Sequence, residues 1–187
     1  MRLSFKYIGL LTGLLLVITS FLFFGRHQDL YQILNIGGLA ISFTFFLIIL
    51  LRKGTVKSKI FWTIIVIVFV VLQRVTEPIL IDTSYRIYIR QNKNILSNIN
   101  NILIHKSGDI TILNNNITDT NNQLTDYESN ELIQGRKKLD VYIISKSEKG
   151  IYYGLWGFLD VRLRITYWSG IVKPDNNYRH LTGNWFH

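Results

Sequence analysis

The chain has 187 residues, of which 48% are hydrophobic and 18% are charged, and its formal net charge is +9. This composition is too apolar for a disordered protein, and the absence of cysteine excludes disulfide scaffolds, thiol catalysis and Cys-ligated metal centres. Eight basic and two acidic residues lie within residues 1–81 and flank apolar segments, so the positive charge is typical of membrane topology rather than of nucleic-acid binding.

Three apolar segments predict transmembrane helices at about residues 8–25, 33–52 and 60–81. The first segment follows Arg2 and Lys6, as in a signal sequence. It has no small-residue cleavage site after it, so we favour an uncleaved signal anchor over a cleaved signal peptide.

The distribution of Lys and Arg predicts the orientation of these helices. The N-terminus and the loop between the second and third helices hold six basic residues, whereas the loop between the first and second helices holds only Arg26. Because basic residues are enriched in cytoplasmic loops, we expect a cytoplasmic N-terminus and a C-terminal domain on the outer side of the cell membrane.

Residues 82–187 are predicted to form an exported α+β domain with an antiparallel sheet. Apolar residues at helical spacing over 95–103 predict a helix from about residue 84 to 104. The alternative is a β-hairpin in which residues 102–105 pair with residues 110–113. The Asn-rich segment 114–124 is predicted to be a polar loop.

A capping box at Thr125 and Glu128 predicts a short helix that ends near Gln134, with Gly135 in the left-handed position after it. Strands are predicted over residues 139–145, 151–156 and 160–168, and the last 18 residues are predicted to be irregular.

The strand at residues 160–168 alternates apolar and polar residues, which places Arg162, Arg164 and Trp168 on one polar face. Such a face could contact an anionic partner or lipid headgroups. The alternative is an ordinary solvated face.

Arg74, Glu77 and Pro78 stand out because ionisable residues and proline are unusual near a membrane segment. Arg74 and Glu77 are three residues apart, so they can pair on one helix face, and Pro78 predicts a helix disruption. We expect them to anchor the helix at the membrane interface; the alternative is a coupling point between the bilayer and the exported domain.

Small residues in the first two helices predict close helix packing. Gly9 and Gly13 form a G-x-x-x-G motif, and Gly37 and Gly38 lie in the second helix. We expect the first two helices to pack against each other within the chain, with homo-oligomerisation as the alternative.

No catalytic, nucleotide-binding or metal-binding motif is present in the sequence, so we predict no cofactor, no metal and no enzymatic activity. The expected function is that of an accessory or interaction component of a cell-envelope complex, with the bilayer and a membrane or envelope protein as partners. The alternatives are a membrane sensor or regulator and a subunit of an oligomeric transporter or channel.

Overall fold

The computed structural model describes residues 5–158, 161–169 and 178–187. It divides into two compact units, Met1–Ser84 and Tyr85–His187, and one helix crosses the boundary. The helices are α1 (Phe5–Ser20, followed by a 3-10 turn at Phe21–Phe23), α2 (Gln28–Leu51), α3 (Val56–Gln91), α4 (Lys93–Ile104) and α5 (Asp126–Leu139). The strands are β1 (Ile110–Leu113), β2 (Asn116–Asp119), β3 (Ile143–Ser147), β4 (Gly150–Phe158), β5 (Val161–Trp168), β6 (His180–Thr182) and β7 (Trp185–Phe186).

The N-terminal unit contains three helices that are long and apolar enough to cross a membrane. This confirms three long apolar helices, but their bounds differ from the predicted ones. The largest difference is in α3, which is predicted to end near residue 81 and instead continues to Gln91. Pro78 lies inside this helix and does not end it, because proline removes only one backbone donor and apolar helices tolerate that loss.

Aromatic stacking joins the start of α1 to α3. The rings of Tyr7 and Trp62 are parallel within 7°, with centroids 4.4 Å apart. Trp62 also belongs to a buried cluster with Leu10, Leu14 and Ile49. Many other apolar side chains of these helices point outwards, as is typical of a surface that contacts lipid rather than water.

The predicted helix at residues 84–104 exists as two helices, because the chain leaves helical geometry at Asn92 (φ −104°, ψ 14°). The apolar periodicity correctly marks the buried face of α4, where Leu96, Ile99 and Leu103 are buried. The alternative hairpin is wrong, since residues 102–104 are helical and β1 pairs with β2 and β3 instead.

The prediction of an unbroken polar loop at residues 114–124 is also wrong. Asn116–Asp119 forms the edge strand β2, in which Ile112 faces Ile117 and Leu113 faces Asn116. Asn114 adopts a left-handed backbone (φ 56°) in the tight turn between the strands. An edge strand can be polar because it pairs through its backbone on one side and faces solvent on the other.

The capping box at the start of α5 is confirmed: the Thr125 hydroxyl accepts from the Glu128 N–H, and the Glu128 carboxylate accepts from the Thr125 N–H. The predicted end of this helix is wrong, because α5 continues through Gly135 to Leu139 and Asp140 takes the left-handed position (φ 53°). Gly135 instead allows close packing of α5 on α4, since an added Cβ would lie 2.8 Å from Cδ1 of Ile99.

Within the described residues, seven strands form one antiparallel sheet in the order β2-β1-β3-β4-β5-β7-β6. The strands predicted at 151–156 and 160–168 correspond to β4 and β5, whereas β3 begins at Ile143 rather than at residue 139. The prediction that the last 18 residues are irregular is wrong for 180–186, where β6 and β7 pair and β7 also pairs with β5.

One face of this sheet is buried. Ile144, Ile151, Tyr153 and Ile165 are fully buried, and the Tyr153 hydroxyl donates a 2.6 Å hydrogen bond to Oδ1 of Asn100 in α4. The opposite face carries Tyr152, Arg164 and Trp168.

Candidate functional site

The C-terminal unit contains a cleft of about 650 Å³ between the helices and the β6–β7 hairpin. It lies where α3 ends and α4 begins, opposite the turn that joins β6 to β7. Its lining residues are Arg86, Ile89, Arg90, Lys93, Tyr167, Thr182, Gly183, Asn184 and Trp185.

Three cations line one side of this cleft. Arg86, Arg90 and Lys93 are all exposed; Arg86 and Arg90 are neighbours on one face of α3, and Lys93 begins α4 three residues after Arg90. None of the three side chains has an ion-pair or hydrogen-bond partner in the part of the chain that the structure describes. Like charges at this spacing repel one another, so an anion between them would relieve an unfavourable interaction.

The first turn of α4 adds to this positive potential. Lys93 is the first residue of α4, and the N-cap residue Asn92 makes no side-chain capping hydrogen bond. The Asn92 side-chain amide donates instead to the Tyr88 carbonyl at 3.0 Å. The positive end of the helix dipole therefore lies beside the three cations.

The opposite wall is aromatic and hydrogen-bonding. The rings of Tyr167 and Trp185 are in edge contact, with centroids 5.1 Å apart. The turn beside them is held in place by a 2.8 Å hydrogen bond from the Trp168 N–H to the Asn184 carbonyl. Gly183 has φ +52°, a left-handed conformation that favours glycine in this turn.

No carboxylate or histidine is among the described residues that line the cleft. Among the same described residues of the whole chain, no group of three or more His, Cys, Asp or Glu could hold a metal ion. The arrangement offers charge-assisted hydrogen bonds to phosphate or carboxylate oxygens together with apolar contact on one side.

The predicted strand face is a separate feature on the other face of the sheet. The Arg164 guanidinium lies over the rings of Tyr152 and Tyr178, 5.5 and 5.7 Å from their centroids, and donates a 3.4 Å hydrogen bond to the Tyr178 hydroxyl. Trp168 contacts Tyr178 edge to face. The side chain of Arg162 lies outside the described residues, so the role of this face stays a prediction.

Arg74 and Glu77 lie in α3 and pair as their spacing predicts, with 3.6 Å between Nη1 and Oε2. The Arg74 side chain is 80% exposed and that of Glu77 is 29% exposed, so the pair is at the surface of the N-terminal unit. Their role at the interface, like that of Pro78, stays a prediction.

The four candidate packing glycines have different environments. An added Cβ at Gly13 would lie 2.8 Å from the Gly38 carbonyl oxygen, and one at Gly38 would lie 2.8 Å from the Gly13 carbonyl oxygen. Gly9 faces the ring of Phe45 in α2. Gly37 has no atom within 4 Å of an added Cβ, so it takes no part in this contact.

The sequence predictions do not include the cleft. A signal for its cationic side is present in the sequence, because Arg86 and Arg90 are spaced for one helix face just after an apolar segment and Lys93 follows closely. The β6–β7 hairpin on the other side of the cleft carries no such signal. Its residues are distant from α3 in the chain, and strand pairing decides where they lie.

Comparisons with known proteins find no match to a protein-family model, a curated protein or a solved structure.

Proposed function

We propose that this chain is an integral membrane protein that serves as an accessory or interaction component of a cell-envelope complex. Its three N-terminal helices span the bilayer, its N-terminus is cytoplasmic, and its C-terminal domain is exported. The domain binds an anionic partner surface through the basic cleft. The observation that carries this proposal is the set of three cations, Arg86, Arg90 and Lys93, that face one cleft without partners among the described residues.

The membrane assignment is supported by length and by surface chemistry. The 24 residues of α2 give a helix of about 36 Å at 1.5 Å per residue, which exceeds a hydrocarbon core of roughly 30 Å. Ile33, Ile36 and Phe43 in this helix are each more than 60% exposed. Side chains of this kind are stable in lipid and unfavourable in water.

A binding role is supported by the chemistry that the cleft offers. Its described side chains supply positive charge, hydroxyl and amide groups and two aromatic rings, but no pair that could transfer a proton as an acid and a base. Charge complementarity of this kind gives partner selection and fast association.

Partner capture tests the proposal. The full chain carries a C-terminal tag, intact cells are crosslinked, and the proteins that purify in stoichiometric amount are identified. A variant with Arg86→Gln, Arg90→Gln and Lys93→Gln is compared with a control with Lys137→Gln, Lys138→Gln and Lys149→Gln. The control loses the same number of positive charges, at exposed positions outside the cleft.

We expect a defined envelope protein in the wild-type and control samples and a clear loss of it in the cleft variant. A third variant, with Arg162→Glu and Arg164→Glu, tests the predicted strand face in the same assay. Loss of the partner in the third variant alone would show that the partner binds that strand face rather than the cleft. Capture of nothing but further copies of this chain would contradict the accessory role and favour a homo-oligomeric channel.

A sensor or regulator is the second candidate function, and it is supported by the continuity of α3. This one helix contains Arg74 and Glu77 as well as the cleft residues Arg86 and Arg90. If the helix transmits the state of the domain, Glu77→Gln is expected to alter the response of the captured partner while leaving its binding unchanged. A Glu77→Gln variant with normal partner activity would exclude this role.

A further inference from the structure

We infer that the basic cleft binds the phosphate of an anionic phospholipid headgroup. The inference rests on the proposed function, because it requires α3 to span the bilayer. It adds a ligand class for the same three cations, so that lipid and an anionic protein surface compete for the cleft.

The position of Arg86 in α3 supports a lipid ligand. The apolar segment ends near Ile81, and Arg86 follows it by five residues in the same helix. At 1.5 Å per residue, Arg86 is about 8 Å beyond Ile81 along the helix axis. The headgroup layer extends roughly 5–8 Å beyond the hydrocarbon core on each side, so the Arg86 side chain falls at the depth of lipid phosphates.

The chemistry of the cleft also fits a headgroup. Two guanidinium groups and one ammonium can surround a phosphate, and Arg binds phosphate through two parallel hydrogen bonds. Thr182 and Asn184 lie on the opposite side of the cleft, within a volume of about 650 Å³ that admits a glycerol or similar polar group. Tyr167 and Trp185 provide the amphipathic surface that is typical of residues at the membrane interface.

The full chain in mild detergent is the material for the test, and native mass spectrometry measures the apparent affinity for added lipid. The probes are phosphatidylglycerol, phosphatidylcholine as a zwitterionic lipid, and glycerol phosphate as a soluble phosphoester. The protein variants are the cleft variant (R86Q, R90Q and K93Q) and the charge-matched control (K137Q, K138Q and K149Q). Because the two variants share the same transmembrane surface, lipid bound around the helices is equal in both.

We expect wild type and control to bind phosphatidylglycerol more tightly than phosphatidylcholine. A juxtamembrane cation contributes about fivefold to the affinity for anionic lipid, so the cleft variant should bind phosphatidylglycerol roughly a hundredfold more weakly. The difference should shrink at high salt, because these cations are exposed.

Two results would overturn the inference. The first is a cleft variant that binds phosphatidylglycerol as tightly as the control variant does. The second is equal binding of glycerol phosphate and phosphatidylglycerol, which would assign the cleft to a soluble phosphoester rather than to a lipid. Neither result decides the proposed function, because protein capture by the same two variants is measured separately.

Discussion

At Gly13 and Gly38, helices α1 and α2 approach so closely that only glycine fits. An added Cβ at Gly13 would lie 2.5 Å from Oγ of Ser42 and 2.7 Å from its backbone nitrogen. Backbone atoms cannot rotate away as a flexible side chain can, so the helices themselves must separate. The same small residues therefore explain why these two helices form a pair within one chain.

We expect Gly13→Ala to destabilise the N-terminal unit by about 1–3 kcal/mol, the range found for overpacked sites. Gly37→Ala is the matched control, because it lies in open space in α2 and gains up to about 1 kcal/mol from better helix propensity. Thermal unfolding of both full-length variants in detergent measures the difference. Equal unfolding temperatures for the two variants would show that the close contact between α1 and α2 contributes nothing to stability.

The ion pair between Lys106 and Glu128 makes the stability of the C-terminal unit dependent on pH. The Lys106 ammonium lies 2.7 Å from Oε1 of Glu128. The hydrogen bond from Lys106 lowers the pKa of Glu128 most, and the hydrogen bond from the Thr125 N–H is the next largest cause. Together they lower this pKa from 4.5 to about 2. The carboxylate therefore contributes stability above pH 4.5 and loses that contribution as the pH falls towards 2.

We expect the unfolding temperature of the wild type to fall between pH 5 and pH 2 by more than that of Glu128→Gln. Glutamine can still complete the capping box with Thr125, so this variant removes the charge and leaves the cap. Circular dichroism across the pH series measures both. Parallel curves for the two proteins would contradict a role for the Glu128 charge.

Among the elements, α4 and β4 are joined by one buried hydrogen bond. Tyr153 is fully buried and Asn100 is 6% exposed, and the bond between them is 2.6 Å long. Burial also raises the pKa of the Tyr153 phenol, which keeps the hydroxyl protonated as a donor.

We expect Tyr153→Phe to cost about 1–3 kcal/mol, because Oδ1 of Asn100 stays buried without its donor. Tyr152→Phe is the matched control, since Tyr152 is the neighbouring residue on the other face of β4 and its ring contact with Arg164 is retained. A double variant with Tyr153→Phe and Asn100→Leu should lose less stability than the sum of the losses in the Tyr153→Phe and Asn100→Leu single variants. Strictly additive losses of stability would mean that the hydrogen bond does not link α4 to β4.

The elements also show which sequence patterns are reliable. The apolar period of α4, the capping box of α5 and the alternation in β5 are local patterns, and the structure contains all three elements. The errors arise where pairing or packing with another element decides the outcome. β2 is a strand that pairs with β1, and α5 continues through Gly135, where Ile99 of α4 packs against it.

The cleft illustrates the same limit for the candidate site. Its cations follow from a helical pattern in the sequence, whereas Thr182 and Asn184 join them only through the pairing of β6 with β7 and β5. Periodicity describes one element at a time, so it cannot show which two elements enclose a cleft.

For the molecule as a whole, the proposed orientation in the membrane decides which compartment the cleft faces. The N-terminus and the α2–α3 loop hold six basic residues, whereas the loop between α1 and α2 holds only Arg26. The positive-inside rule therefore predicts that the loop between α2 and α3 is cytoplasmic and that the β-sheet domain lies outside.

The absence of cysteine makes this orientation directly measurable, because any introduced thiol is the only one in the chain. Gly54→Cys lies in the exposed α2–α3 loop and Glu148→Cys in the exposed β3–β4 turn. In intact cells we expect a membrane-impermeant maleimide to label Glu148→Cys and to label Gly54→Cys only after permeabilisation. The reverse pattern would place the cleft in the cytoplasm, where an envelope partner could not reach it and the anionic lipids of the inner leaflet would be its ligands.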